Sequence, residues 1–154
     1  MELSELLAPG SVIPTLKASS KKQVLQELAA LAAAESSAKE SEVFGVLLER
    51  ERLGTTGVGH GVAIPHGRLT GLGRLLGFFA RIDTPVDFDA VDGEPVDLVF
   101  LLLAPEGEGA DHLKALARIS RLLRDRSLCD KLRGSRTADA LYALITESAT
   151  PHAA

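Results

Sequence analysis

Apolar positions recur along this chain in two rhythms, and these divide it into helices and strands. Across 20–34, Val24, Leu28 and Leu31 share one stripe with Leu25 beside it, the spacing of a helix with one buried face. Ser19 and Ser20 stand ahead of it as caps. A second helix over 40–53 turns Val43, Phe44, Leu47 and Leu48 inward and stops at Gly54, a C-terminal glycine. A third, over 110–124, buries Leu113, Leu116, Ile119, Leu122 and Leu123, and shorter helices near 127–133 and 137–147 follow. The other rhythm is denser. "SVIPTLKA" (11–18) is a strand that Pro14 demotes towards a sheet edge. "LLGFFARI" (75–82) and "PVDLVFLLLA" (95–104) are strands too, and the second is so continuously apolar that it belongs in the middle of a sheet covered on both faces. Asp92-Gly93 marks a turn between them. Strands interleaved with helices define an α/β layer fold with a mixed sheet. Without repeats or an interdomain linker, the chain is one domain over 1–148 with a flexible tail over 149–154.

Composition changes this picture little but excludes several functions. The 154 residues are 45% hydrophobic and 25% charged, ordinary for a soluble domain with a substantial core. A net charge of −4 argues against bulk attraction to nucleic acid or anionic membrane. The single cysteine, Cys129, excludes an internal disulfide and suits a reducing compartment. No apolar run approaches the roughly 18 residues of a membrane span, and the start "MELSELLAPGS" lacks the basic head and apolar core of a signal peptide. These features predict a cytoplasmic protein. The basic run Lys114, Arg118, Arg121, Arg124, Arg126, Lys131 and Arg133 has no interleaved aromatics. It reads as a solvated face in preference to a docking surface for an acidic protein.

Candidate chemistry concentrates in "GHGVAIPHGR" (59–68). Val62, Ala63 and Ile64 form a buried strand end, Pro65 should stop regular pairing, and Gly67 lets the chain turn or another molecule approach. His66 is thereby held rigidly at a strand-to-loop exit and faces outward. The glycines of 54–61 match neither a P-loop nor GxGxxG, so they read as a flexible loop beside His66. His112 lies in the first turn of the 110–124 helix, where it either donates to an anion or merely caps and packs. Arg50 and Arg52 both end the second helix, and either could serve an anion or just complement the helix dipole. His60, His66 and His112 are too scattered for a zinc site, which leaves His60 as an exposed loop residue. Cys129 has no adjacent histidine and reads as buried filler, and no G-x-S-x-G elbow is present.

"RERLGTTGVGHGVAIPHGR" (50–68) closely resembles the active-site signature of type-2 IIA domains of the bacterial phosphotransferase system. The resemblance continues through "TPVDFDAVDGEPVDLVFLLLAP" (84–105) and "HLKALARISRLL" (112–123), and reaches from 20 to 145. It is greatest for the nitrogen-regulatory branch, relatives of the fructose and mannitol IIA domains. The resemblance implies a single-domain sandwich with a mixed, mainly five-stranded sheet flanked by helices. It also implies a phosphotransferase component with a covalent phosphohistidine intermediate. By position, His66 matches the phosphorylated histidine, His112 the second active-site histidine, and Arg50 the arginine of the "RE" pair, which resolves the choice against Arg52. Thr55 replaces a usual serine but keeps the hydroxyl, and nothing carries over to His60.

The implied reaction needs no metal or cofactor. His66, through Nε2, takes a phosphoryl group from a histidine of a small phosphocarrier protein, while its other nitrogen is held by a local acceptor. His112 and Arg50 donate to the transferring oxygens, and the helix dipole keeps His112 largely neutral. The expected partners are that carrier and regulatory targets such as kinases or transporters, with no nucleic acid and no membrane insertion. The alternative is a sugar-specific, fructose- or mannitol-type component that passes phosphate to a IIB domain for uptake.

Overall fold

A computed structural model describes residues 2–107 and 109–148; the tail expected over 149–154 lies outside the described residues. The elements run α1 (Leu3–Leu6), β1 (Leu7–Leu16), α2 (Lys21–Glu35), α3 (Glu40–Arg52), β2 (Gly57–Gly59), β3 (Val62–Ala63), β4 (His66–Leu69), β5 (Leu76–Val86), β6 (Val96–Pro105), α4 (Gly109–Leu123), α5 (Arg126–Gly134) and α6 (Ala138–Ser148). The sheet is mixed, with six strands in the order β1-β5-β6-β3-β2 and β4 also on β6. β5 and β6 pair antiparallel, whereas β1 on β5 and both β3 and β4 on β6 are parallel. Because β3 and β4 follow one another along the same partner, they behave as one interrupted strand. The sixth strand is thus a break in an expected fifth.

The alternation of side chains explains the layers. On β5 and β6, Phe78, Ala80, Ile82, Val99, Leu101 and Leu103 face a core closed by α2 and α3. Phe79, Leu98, Phe100 and Leu102 face the other way, into a core closed by α1, α4, α5 and α6. Both faces of β6 are therefore buried, which accounts for its unbroken apolar run. β1, carrying Pro14, takes the edge.

Helix ends follow their local chemistry. Ser20 caps α2 by accepting from the Gln23 amide at 3.1 Å, and Gln23 reaches back to the Ser19 amide at 2.7 Å. Asp125 caps α5 by accepting from the Leu128 amide at 3.2 Å.

Three expectations need correction. Leu113 is 65% exposed, because α4 turns His112, Ala115, Ile119 and Leu123 inward instead. The glycine loop is not a free loop: Gly57–Gly59 forms β2, antiparallel to β3, with His60 and Gly61 at the turn in positive φ. Pairing also does not stop at Pro65. The Pro65 carbonyl accepts from the Leu102 amide at 3.0 Å, and β4 resumes at His66 in register with Leu102. Proline removes a donor but keeps its acceptor, and a parallel neighbour needs only that.

Candidate functional site

His66, His112, Arg50 and Arg68 line one shallow depression of about 380 Å³, together with Val46, Glu49, Leu53 and Gly67. Each arrives by a separate route. His66 and Arg68 stand two apart on β4, Arg50 ends α3, and His112 opens α4. Gly67 lets these elements meet, since a Cβ there would collide with Val46 of α3.

Two contacts independently fix the His66 tautomer. Its Nδ1 lies 2.9 Å from the Ile64 carbonyl, which can only accept, so Nδ1 carries the proton. Its Nε2 lies 3.1 Å from Arg50 Nε, which can only donate, so Nε2 carries the lone pair. The local acceptor expected from sequence is thus a carbonyl two residues upstream. Burial holds the His66 pKa below its ordinary value; the Ile64 hydrogen bond opposes this, the Arg50 charge adds to it, and Glu51 opposes it weakly. The ring is half-buried, not fully outward-facing.

His112 is 5% exposed, and its ring meets that of His66 edge-on with centroids 5.6 Å apart. Its Nδ1 accepts from Arg68 Nε at 3.2 Å, while its buried Nε2 has no hydrogen-bond partner among the described residues. Its pKa is also lowered, first by burial and then by His66 and the Arg68 charge. Burial, with the Arg68 charge beside it, thus works in the same direction as the helix dipole, favouring neutral His112.

Arg50 also donates to the Gly54 carbonyl at 2.9 Å, whereas Arg52 pairs with Glu49 on the solvent side. Glu51, between them, is nearly buried. It takes an ion pair from Lys21 at 2.7 Å and accepts from the Thr56 amide at 3.1 Å and the Thr56 hydroxyl. Thr55 donates to the Phe88 carbonyl at 2.9 Å and accepts from the Gly57 amide at 3.0 Å. The residues around Gly54 are therefore anchored on both sides. Glu51 thus holds the loop while Arg50 reaches His66.

His60 stands apart, lining a separate cleft of about 1030 Å³ with Asp92, Arg126 and Arg133. Arg126 contacts its ring at 3.0 Å, and Asp92 accepts from its amide at 2.9 Å. Among the described residues, no group of three His, Cys, Asp or Glu side chains is placed to hold a metal ion. Cys129 is buried, donates its thiol to the Leu123 carbonyl, and has its pKa pushed up chiefly by burial. No helix among the described residues is long and apolar enough to cross a membrane.

Residue-by-residue reading passed over Arg68 and the tether made by Glu51. The i, i+2 spacing of His66 and Arg68 on a strand was the available signal for Arg68, hidden because Pro65 argued against a strand there.

Residues 5–148 match the family described as "Phosphoenolpyruvate-dependent sugar phosphotransferase system, EIIA 2". A nitrogen regulatory protein of Bradyrhizobium diazoefficiens is 61% identical over 145 residues, 94% of this chain and 95% of that protein. One from Pseudomonas aeruginosa is 41% identical over 96% of each chain. The crystal structure of nitrogen regulatory protein IIA-Ntr from Neisseria meningitidis superposes with a TM-score of 0.88 at 38% identity, covering 94% of this chain and 99% of that one.

Proposed function

The chain belongs to the EIIA 2 family of the phosphoenolpyruvate-dependent sugar phosphotransferase system, and from that premise we propose that it is a phosphoryl-accepting regulator of the nitrogen type. His66 takes a phosphoryl group from a histidine of a small phosphocarrier protein, and the phosphorylation state then governs which target proteins bind. The observation that carries this reading is the opposed pair of tautomers. His66 presents a lone pair on Nε2, and His112 beside it presents a buried N–H with no acceptor. The nitrogen regulatory relatives, matched over nearly their whole length, support the regulatory half.

In the transfer, the Nε2 lone pair forms a bond to phosphorus as the bond from phosphorus to the carrier's histidine nitrogen breaks. The carrier nitrogen recovers the electron pair. The proton of His66 stays on Nδ1 throughout, donated to the Ile64 carbonyl, so the acceptor needs no general base. Arg50 now occupies the lone pair and must hand it over, and its guanidinium then turns to the incoming oxygens. The loose transition state spreads charge over those oxygens, where Arg50 and the His112 N–H donate. Leu53, 85% exposed, lines the depression and gives the carrier an apolar contact to dock on.

The test is reconstitution with phosphoenolpyruvate, the first enzyme of the relay and the carrier, followed by mapping of the label. Acid-labile phosphate should sit on His66 and vanish in His66→Ala; equal labelling of that variant overturns the assignment. Phosphorylated and unphosphorylated protein should then retain different control proteins, such as kinases or transporters, from native lysate. Passage of the phosphate to a sugar IIB domain, with no state-dependent partner, would replace the regulatory reading with the uptake one.

A further inference from the structure

His112 is useful to the reaction only if its proton sits on Nε2, and a neutral imidazole can place it on either nitrogen. His66 has its tautomer set by its own backbone through Ile64. Among the described residues His112 has no such carbonyl; its one hydrogen bond comes from Arg68, which donates from Nε to Nδ1 at 3.2 Å. A guanidinium cannot accept, so this contact demands a lone pair on Nδ1 and sends the proton to Nε2. That Nε2 is buried and has no partner among the described residues, an arrangement that costs free energy in the free protein and that an anion entering the depression would relieve.

We propose that Arg68 is a positioning residue for phosphoryl transfer: it locks His112 in the Nε2–H form and aims that N–H at the phosphoryl group held by His66. The placement supports this from both sides. Arg68 shares the β4 strand with His66 two residues on, so one rigid strand carries the acceptor and the residue that orients its helper. Its guanidinium also lies against the first residue of α4, where a Cβ on Gly109 would stand 3.7 Å from Nη2. Arg68 thus ties the opening turn of α4, which bears His112, to the strand that bears His66. Arg68 also lines the depression, but the proposed role is exerted through His112.

The inference rests on His66 as phosphate acceptor, yet its main test does not need transfer to occur. Long-range proton–nitrogen correlation spectra of the His112 ring in the unphosphorylated protein report the tautomer directly. Wild type should show an unprotonated Nδ1 and a protonated Nε2, and Arg68→Ala should show a mixture or the reverse. Arg68→Lys, which still donates, should restore the wild-type pattern at least in part. In relay assays Arg68→Ala should slow transfer by roughly 10–100-fold, the scale seen when outer-shell partners of metal-ligating histidines are removed. On a His112→Ala background the same substitution should add no more than about twofold, as residues acting through one group are not additive. An unchanged tautomer in Arg68→Ala overturns the proposal whatever the kinetics. Equal slowing with and without His112 overturns it too, showing that Arg68 acts on the phosphate or the carrier directly. A wild type that fails to label at His66 would sink the functional reading instead, and the tautomer result would still stand or fall alone.

Discussion

At the scale of single residues, the two histidines invite a prediction about acid. Burial holds both pKa values below the ordinary 6.5. His66 therefore keeps its lone pair as the pH falls through that value, and transfer should remain near its plateau at pH 6.5 and decline only below it. A single-turnover rate against pH, with a midpoint at or above 6.5, would contradict this. Stability follows with a definite sign. The unfolded chain binds more protons than the fold between the folded and unfolded pKa values, so the histidine contribution is complete above about pH 6.5 and is lost as pH drops below it. Urea melts at pH 7.5 and 5.5 should show that slope, and His66→Gln with His112→Gln should flatten it. Arg50→Ala and His112→Ala should fold normally yet transfer about 10²–10³-fold more slowly, the scale for losing one oriented donor to a developing anion.

At the scale of elements, the active geometry depends on how closely α3 approaches β4. Gly67→Ala would drive a methyl into Val46, costing about 1–3 kcal/mol through overpacking and shifting Arg50 away from His66. Transfer should therefore drop along with stability, measured by denaturant melts beside the relay assay; a stable variant with full activity would show that α3 is free to move. Glu51→Ala should cost about 3–5 kcal/mol, because it strands the Lys21 charge and frees the Thr56 end of the loop.

Much of this level was legible beforehand. The central place of β6 and the inward stripes of α2 and α3 followed from the apolar pattern, and the edge place of β1 from Pro14. What stayed hidden has physical causes. β2 and β4 are three and four residues long and rich in glycine, so they carry no apolar rhythm to detect. Proline before His66 argued for a break because sequence shows the donor it lacks, not the acceptor it keeps. Leu113 looked like core because a leucine at helical spacing usually is, but α4 leaves it exposed and buries His112 on the stripe of 112, 116, 119 and 123 that the spacing already indicated. Arg50 was separable from Arg52 by resemblance, and the structure adds the contact that distinguishes them.

For the whole molecule, the depression at His66 and the cleft at His60 separate the proposed chemistry from support. Around His60, positive φ is held by Asp92 on the amide and by Arg133, which bonds the His60 carbonyl at 2.7 Å and pairs with Asp97 at 2.8 Å. Arg133→Ala should lower stability by about 1–2 kcal/mol, discounted for the partial exposure of the ion pair, and leave phosphoryl transfer within about twofold of wild type. A variant that kept its stability but lost transfer would mean that the two regions are coupled.

The clamp on either side of His66 has a consequence for how a message leaves this protein. The Pro65 carbonyl bonds the Leu102 amide and His66 is in register with Leu102, so the proposed acceptor is tied to the buried central strand of the sheet. On the proposed function, phosphate added there would be read without a swinging loop or a shifting helix. The mark would then be a change of charge written on a fixed background, with the decoding machinery belonging to the listener. Unrelated partners can then read the same one-bit signal, provided each brings its own counter-charge to a single spot. Such reading is by nature erasable with salt: the preference of a partner for one state over the other should shrink as ionic strength rises, while the outline of the protein in solution scattering stays the same in both states.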